Sequence, residues 1–328
     1  MHLRILFSVI ALLGASLPAA EEKKFRFERP LMGTRFMVIC YAGDQETATK
    51  SADTAFQVAE NLNAAASDYL PSSELSMLAS KPTGQPIPLS PLLYGLLDHS
   101  RRMAEATDGA FDPTLGPLTK LWRESRESHR LPDPEKRQAA LARAGWRHFT
   151  LDPTSRAITL HRNGMAFDLG GMAKGYAADL MLESLAGNGI RKAIIVAGGD
   201  IRLGDPPPDR DGWRVALKTF DPARPDEAIT LSNAAVSTSG DLYQSVEIDG
   251  IRYSHVLDPK TGLGLTRRIA AIAIADEAKL SDALSTAACV LGPDASEKLR
   301  HFPGLRELRM RTPQESLDLV RQHHPSNP

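Results

Sequence analysis

Asp168-Leu169-Gly170-Gly171-Met172-Ala173-Lys174-Gly175-Tyr176 is the stretch on which the reading of the fold turns. Ala166 to Asp168 reads as a strand ending in a carboxylate, paired with Ile158 to His161. Two glycines then turn the chain. The spacing of Ala173, Tyr176, Ala177, Leu180 and Leu185 predicts a helix from Met172 to Ala186, ended by Gly187-Asn188-Gly189. Ala193 to Val196 follows as a buried strand, closed by Gly198-Gly199-Asp200. Toward the N-terminus, Phe36 to Tyr41 reads as a strand and Glu46 to Ala66 as a helix. Residues 71–91, rich in Pro and Ser, read as surface connection, and Leu92 to Thr107 as a helix stopped at Asp108-Gly109. Residues 123–137 are charged, a solvated helix or loop. Toward the C-terminus, strands are expected at Trp213 to Lys218, Ala228 to Leu231, Tyr243 to Ile248 and Ile269 to Ala275, then a helix from about Ser281 to Leu291. Strands and helices mix without strict βαβ alternation, so the expected class is α+β, helices covering a sheet.

The 328 residues suffice for one large domain or two lobes. Lys and Arg number 39 against 40 Asp and Glu, which leaves no electrostatic footprint for nucleic acid. A small anion, needing only local donors, is not excluded. Arg4, the apolar run Ile5 to Leu13, small residues up to Ala20 and then Glu21-Glu22-Lys23-Lys24 read as a signal peptide over residues 1–20, too short to span a bilayer. This implies export to the periplasm, with residues 21–315 as the working domain and 316–328 as a flexible tail. Cys40 and Cys289 lie in apolar contexts and read as two buried, unpaired thiols.

Several segments carry residue types suited to phosphate and metal chemistry. Asp282 and Thr286 stand four apart near a helix start and project from one face. A carboxylate and a hydroxyl there offer the hard oxygens magnesium takes, the rest coming from water and substrate phosphate. The plainer alternative is an N-terminal Asp opposing the helix dipole and a Thr bonded to its own backbone. At 168–176 the glycines permit close backbone approach, helix amides favour an anion, and a turn carbonyl can serve a metal. Lys174 runs against the dipole and implies an anionic partner, unless the segment is a tight turn with an exposed lysine. Phe111 beside Asp112 suits the rim of a pocket for an aromatic ring, or simply follows a helix stop. His255, before the Asp258-Pro259 turn, is a candidate general base or a structural histidine. Ser237 to Asp241 and Gly198-Gly199-Asp200 read as polar turns. HExxH, GxSxG and CxxC patterns do not occur, and 168–176 is neither GxGxxG nor a Walker loop.

Taken together and in order, these segments resemble the FAD:protein FMN transferase family, also called the ApbE family. The series runs through Met32-Gly33-Thr34, Ser72-Ser73-Glu74-Leu75, Gly109 to Thr114, Asp168 to Tyr176, Gly198-Gly199-Asp200-Ile201, Ser237-Thr238-Ser239-Gly240, His255 to Gly262 and Ser281 to Thr286. It covers about residues 29–293. The resemblance implies two α/β lobes with FAD in the cleft between them. It implies magnesium on Asp282, Thr286 and the backbone carbonyl of Gly171. It implies FAD against Met32, Tyr69, Ala110, Phe111, Asp112, Asp168, Lys174 and Val256. The implied reaction moves the FMN half of FAD onto a Thr or Ser hydroxyl of an acceptor protein and releases AMP. His255 and Asp282 are then the catalytic candidates, and a membrane respiratory complex subunit is the acceptor the family suggests. Many such proteins are lipoproteins, but no Cys stands near the expected cleavage site. Two other readings stand beside this one: a periplasmic FAD pyrophosphatase, with water replacing the hydroxyl, and a flavin-binding or trafficking protein without catalysis. Asp282 and Thr286 together argue against the last, since a carrier needs no metal to activate phosphorus.

Overall fold

The computed structural model describes residues 21–217, 226–241, 244–312 and 316–321. Eight strands form one sheet whose spatial order follows their order in the chain. They are β1 (Lys23–Leu31), β2 (Thr34–Ala42), β3 (Ala193–Ala197), β4 (Asp200–Leu203), β5 (Ala234–Gly240), β6 (Ala270–Ala275), β7 (Leu305–Arg311) and β8 (Ser316–Arg321). Every neighbouring pair is antiparallel. Side-chain alternation sets the two faces. Phe36, Val38 and Cys40 of β2 are fully buried in the main core, while Ile39 and Tyr41 point the other way.

Five longer helices complete the frame among the described residues: α1 (Gln45–Ala66), α2 (Pro91–Ala106), α3 (Gly116–Ser128), α4 (Ala173–Gly187) and α5 (Ala278–Leu291). α1 lies on β1 and β2, α4 on β3 and β4, and α5 on β5 and β6, with α4 between the other two. The opposite face is covered by a hairpin, Trp213–Leu217 with Glu227–Leu231. Its Trp213, Val215 and Leu217 pack on Ile194, Ile272 and Ile274, and the Trp213 and Tyr41 rings lie 6.0 Å apart. A separate apolar cluster joins Leu118 and Trp122 of α3, Ala140, and Val246, Ile248 and Tyr253 of the hairpin Ser245–Ile248/Ile251–Ser254. None of the described helices is long and apolar enough to cross a membrane.

The α+β class is as expected, with four local corrections. Ala166–Asp168 is not a strand: Ala157–Leu160 pairs instead with Phe149–Asp152 and with Pro86–Pro88, inside the stretch expected to be connection. Ser237–Gly240 is no turn but the end of β5, paired on one side with β4 and along its length with β6. α5 begins at Ala278, so Asp282 sits in its second turn rather than at its start. The presumed tail from 316 opens with β8. The expected signal peptide, residues 1–20, and the end of the expected tail, 322–328, lie outside the described residues.

Candidate active site

The site begins with a close approach of two helices. A Cβ placed on Gly175 of α4 would lie 2.2 Å from the Ala278 carbonyl oxygen, so only glycine lets α5 come this near. α5 has no side-chain cap of its own at Glu277. The carboxylate of Asp179, one turn further along α4, supplies it by accepting from the amides of Ala278 at 2.8 Å and Lys279 at 2.9 Å. Arg202 Nε holds the same carboxylate at 2.9 Å. α5 is thereby fixed in register against α4, and Asp282 Oδ2 accepts from the Gly175 amide at 3.2 Å.

On this frame the glycine turn meets α5. A Cβ on Gly171 would lie 3.3 Å from Thr286 Oγ1 and 3.3 Å from the Phe111 ring, so the three groups adjoin. Thr286 Oγ1 is 3.0 Å from Ser239 Oγ, which also bonds Ser285 at 2.8 Å, and Ser237 bonds Ser281 at 2.7 Å. This ladder of hydroxyls ties β5 to α5. Asp168 shapes the turn itself: Oδ1 accepts from the Gly170 amide at 2.8 Å and Oδ2 from Thr119 of α3 at 2.7 Å.

The electrostatics centre on Lys174. Its ammonium is 3.0 Å from the Gly170 carbonyl oxygen, 3.1 Å from Asp200 Oδ2 and 3.3 Å from Asp282 Oδ2. The anionic partner expected of Lys174 is thus a pair of protein carboxylates, and its charge turns inward. Burial alone would push the Lys174 pKa down, but Asp200 and Asp282 outweigh it and hold it above the ordinary lysine value. Burial, and next the Asp200 charge, raise the pKa of Asp282 against the opposing pull of Lys174. Two buried carboxylates share one ammonium, so the cluster keeps excess negative charge. Asp200 Oδ2 makes no well-formed hydrogen bond, and the Lys174 ammonium stands 3.1 Å from it. Carboxylate, hydroxyl and carbonyl oxygens in such a setting fit a hard divalent cation, for which Asp282, Thr286 and the Gly171 carbonyl would be the ligands. A cluster of three or more His, Cys, Asp or Glu of the kind that cages a metal does not occur among the described residues.

His255 follows the strand Ile251–Ser254 and comes from the outlying apolar cluster's side. Its Nδ1 lies 3.3 Å from the Gln244 carbonyl oxygen. Burial lowers its pKa, only partly offset by that hydrogen bond, and the charges of Arg126, Lys174 and Asp168 all reach it. Val256, next to it, is buried, its amide donating to Ser254 Oγ at 3.0 Å. Ala110 and Phe111 are buried, not rim residues. Asp112 is not the exposed acid expected: Oδ1 accepts from the Thr114 amide and hydroxyl at 2.8 and 2.6 Å, and Oδ2 from the Trp146 amide at 3.1 Å. Tyr69 is 72% exposed, with the Arg123 guanidinium 3.9 Å from its ring centroid. Met32 sits apart, at the β1–β2 turn, lining an open groove of about 850 Å³ with Arg29, Thr34 and Asn63. The turn nonetheless touches the Asp200 hairpin, since a Cβ on Gly198 would meet Thr34 Oγ1 at 2.9 Å. Asp200 and Ser239 belong to the centre, where the sequence by itself shows only polar turns. The two glycines before Asp200 were the signal for the first, while only strand pairing reveals the second.

Helices on an eight-stranded sheet, with a buried cluster of carboxylates and hydroxyls at a glycine turn, define an α+β protein with a polar site where α4 meets α5. The model of the ApbE family matches residues 32–306, and the chain belongs to that family. It is 29% identical over 295 residues to an FAD:protein FMN transferase of Vibrio cholerae, covering 88% of this chain and 87% of that one. The fold matches the apo flavinyl transferase ApbE of Pseudomonas stutzeri with a TM-score of 0.79 at 28% identity, over 90% of this chain and 92% of that chain. It matches the ApbE protein of Thermotoga maritima equally, TM-score 0.79 at 29% identity, over 88% and 94%.

Proposed function

We propose that the chain is an exported, magnesium-dependent FAD:protein FMN transferase: it moves FMN from FAD to a Thr or Ser hydroxyl of an acceptor protein and releases AMP. The observation that carries the reading is that the Gly171 turn adjoins Thr286, one turn from Asp282 on the same helix, in a chain of the ApbE family. Phosphoryl transfer needs positioning and charge neutralisation more than covalent help. When bound, magnesium would neutralise charge on the pyrophosphate and on the departing AMP. The protein's own groups do the rest. The turn at Gly170–Gly171 lets the FAD phosphates come close to the backbone, and Asp168 holds that turn through Gly170 and Thr119. With a proton on Nδ1 facing Gln244, His255 presents Nε2 as the base for the incoming hydroxyl. Burial keeps that nitrogen neutral at pH 7. The new phosphoester forms as the bond to AMP breaks, and the hydroxyl proton passes to His255.

A membrane respiratory complex subunit is the acceptor class this reading names, and residues 1–20 direct the chain to the periplasm. The test incubates the purified chain with FAD, magnesium and a periplasmic domain of such a subunit. A flavin-fluorescent acceptor band together with stoichiometric AMP is the expected result. AMP with free FMN and an unlabelled acceptor would replace transfer by hydrolysis. Unchanged FAD would leave only binding. For localisation, a chain starting near Glu21 in the periplasmic fraction is expected, and a full-length cytoplasmic chain would refute it.

A further inference from the structure

The Lys174 ammonium lies where three oxygens converge: Gly170 O, Asp200 Oδ2 and Asp282 Oδ2, at 3.0, 3.1 and 3.3 Å. Both carboxylate side chains are only 4% exposed. We propose that Lys174 is a displaceable internal counter-ion: it neutralises Asp282 until a divalent cation arrives, then yields that carboxylate and withdraws onto Asp200. This rests on the reading of Asp282 as a metal ligand.

An isolated buried carboxylate is costly, so a metal-binding Asp in this setting needs a partner whenever the metal is away. Lys174 is that partner, and a loosely held one. Charge-assisted N–H···O bonds normally close to about 2.7–2.9 Å. At 3.3 Å its hydrogen bond to Asp282 is long, while Asp200 stands beside the same ammonium as an ion-pair partner at 3.1 Å. Its stem is flexible and 28% exposed, which leaves room to swing. Asp200 is the anchor. It follows the Gly198–Gly199 turn as the first residue of β4, and its Oδ2 has no competing hydrogen bond. Charge balance favours the exchange. With both carboxylates ionised, they and the one ammonium carry one net negative charge, and a divalent ion turns this to one net positive charge. That sign suits a pyrophosphate. Asp200 is then a positioning residue: it keeps the displaced ammonium beside the phosphates rather than in solvent.

The test is calorimetric titration of the mature chain with manganese, without FAD, so the readout is metal affinity and not turnover. Removing the competing cation in Lys174→Met should tighten binding by about tenfold or more. Asp200→Asn leaves Lys174 with Asp282 as its one carboxylate, and should weaken binding by a similar factor. The opposite signs are diagnostic, and the second variant decides if the first does not fold. A melt without metal should show Lys174→Met destabilised and rescued by manganese more than the wild type. A Lys174→Met that binds no better than wild type, or an Asp200→Asn that binds better, overturns the displacement. A wild type that binds no divalent ion, with or without FAD, overturns the metal reading as well, which separates the two failures.

Discussion

At the scale of single residues, two groups carry most of the proposed chemistry. Asp282→Ala should abolish turnover while FAD binding is at least partly kept, measured by AMP release and by flavin fluorescence. Full activity in that variant would remove the metal from this position. His255 sets a pH dependence whose sign follows from its burial. The unprotonated form is the active one, and burial moves its pKa below the ordinary histidine value. Transfer should therefore be on its plateau at pH 7 and fall only in more acidic solution. His255→Ala should slow transfer by about 10²–10⁴-fold and lose that acidic limb; a limb that persists in the variant belongs to another group. Local pattern alone left these residues with structural alternatives, His255 before an Asp-Pro turn and Asp282 and Thr286 at helical spacing; the ordered resemblance to the family is what singles them out. The role of Lys174 was half legible. A cation against a helix dipole announces an anion, but the anions are Asp200 and Asp282, from a strand and a helix far along the chain. Local spacing reports what shares a helix face, not what a fold brings to it. The expected exposure of Asp112 misses for the same reason, since Trp146 reaches its carboxylate from another element.

At the scale of elements, the α4–α5 contact decides whether the site exists. Gly175→Ala drives a methyl group into the Ala278 carbonyl, backbone that cannot rotate away. The cost should be about 1–3 kcal/mol of stability in denaturant titration. Turnover should fall further than stability explains, because Gly175 also positions Asp282 through its amide. Gly187, at the end of the same helix, has open space around a built Cβ, so Gly187→Ala should be neutral or stabilise by up to about 1 kcal/mol. Equal effects of the two would mean helix propensity, not the close approach, governs α4. Asp179→Ala tests the cap that one helix lends the other. It leaves two amides and the Arg202 Nε without their acceptor and should cost about 1–2 kcal/mol or more. An unchanged midpoint would mean that water replaces the carboxylate. Neither contact was legible beforehand. The helices themselves were, from apolar periodicity and glycine stops, yet α5 begins one turn earlier than expected because its cap comes from α4 rather than from its own sequence. β5 hid as a polar turn because its serines face α5, where buried hydroxyls satisfy one another.

At the scale of the molecule, the sheet joins segments no local pattern could have paired. β2 and β3 are neighbours across most of the first half of the chain, and α1 to α4 fill the interval. The class was readable from the mixture of periods; the meander order was not. The same long-range closure supplies a probe of how the site and the core are coupled. Cys40 of β2 and Cys289 of α5 are both free and fully buried in the main apolar core. Burial pushes their pKa values up to about 11 and about 12, so thiolate is scarce at neutral pH even if reagent reached them. Alkylation should therefore be slow in the native state and rapid in denaturant, and its native rate reports opening of the core. A ligand that binds only the closed form lowers the open population by the factor 1 + [L]/Kd. FAD with magnesium at 100 times the dissociation constant should slow labelling by about a hundredfold. The two thiols then discriminate the extent of opening. Cys289 lies in α5 one turn beyond Thr286, whereas Cys40 lies in a strand under α1. Equal protection of both means the core opens as a whole when the site does. Stronger protection of Cys289 means α5 opens by itself, with the ligand clasping it to the glycine turn. Equal rates with and without FAD and magnesium would show that ligand contact at Gly171 and Thr286 does not bear on α5 at all, and would count against the site as drawn.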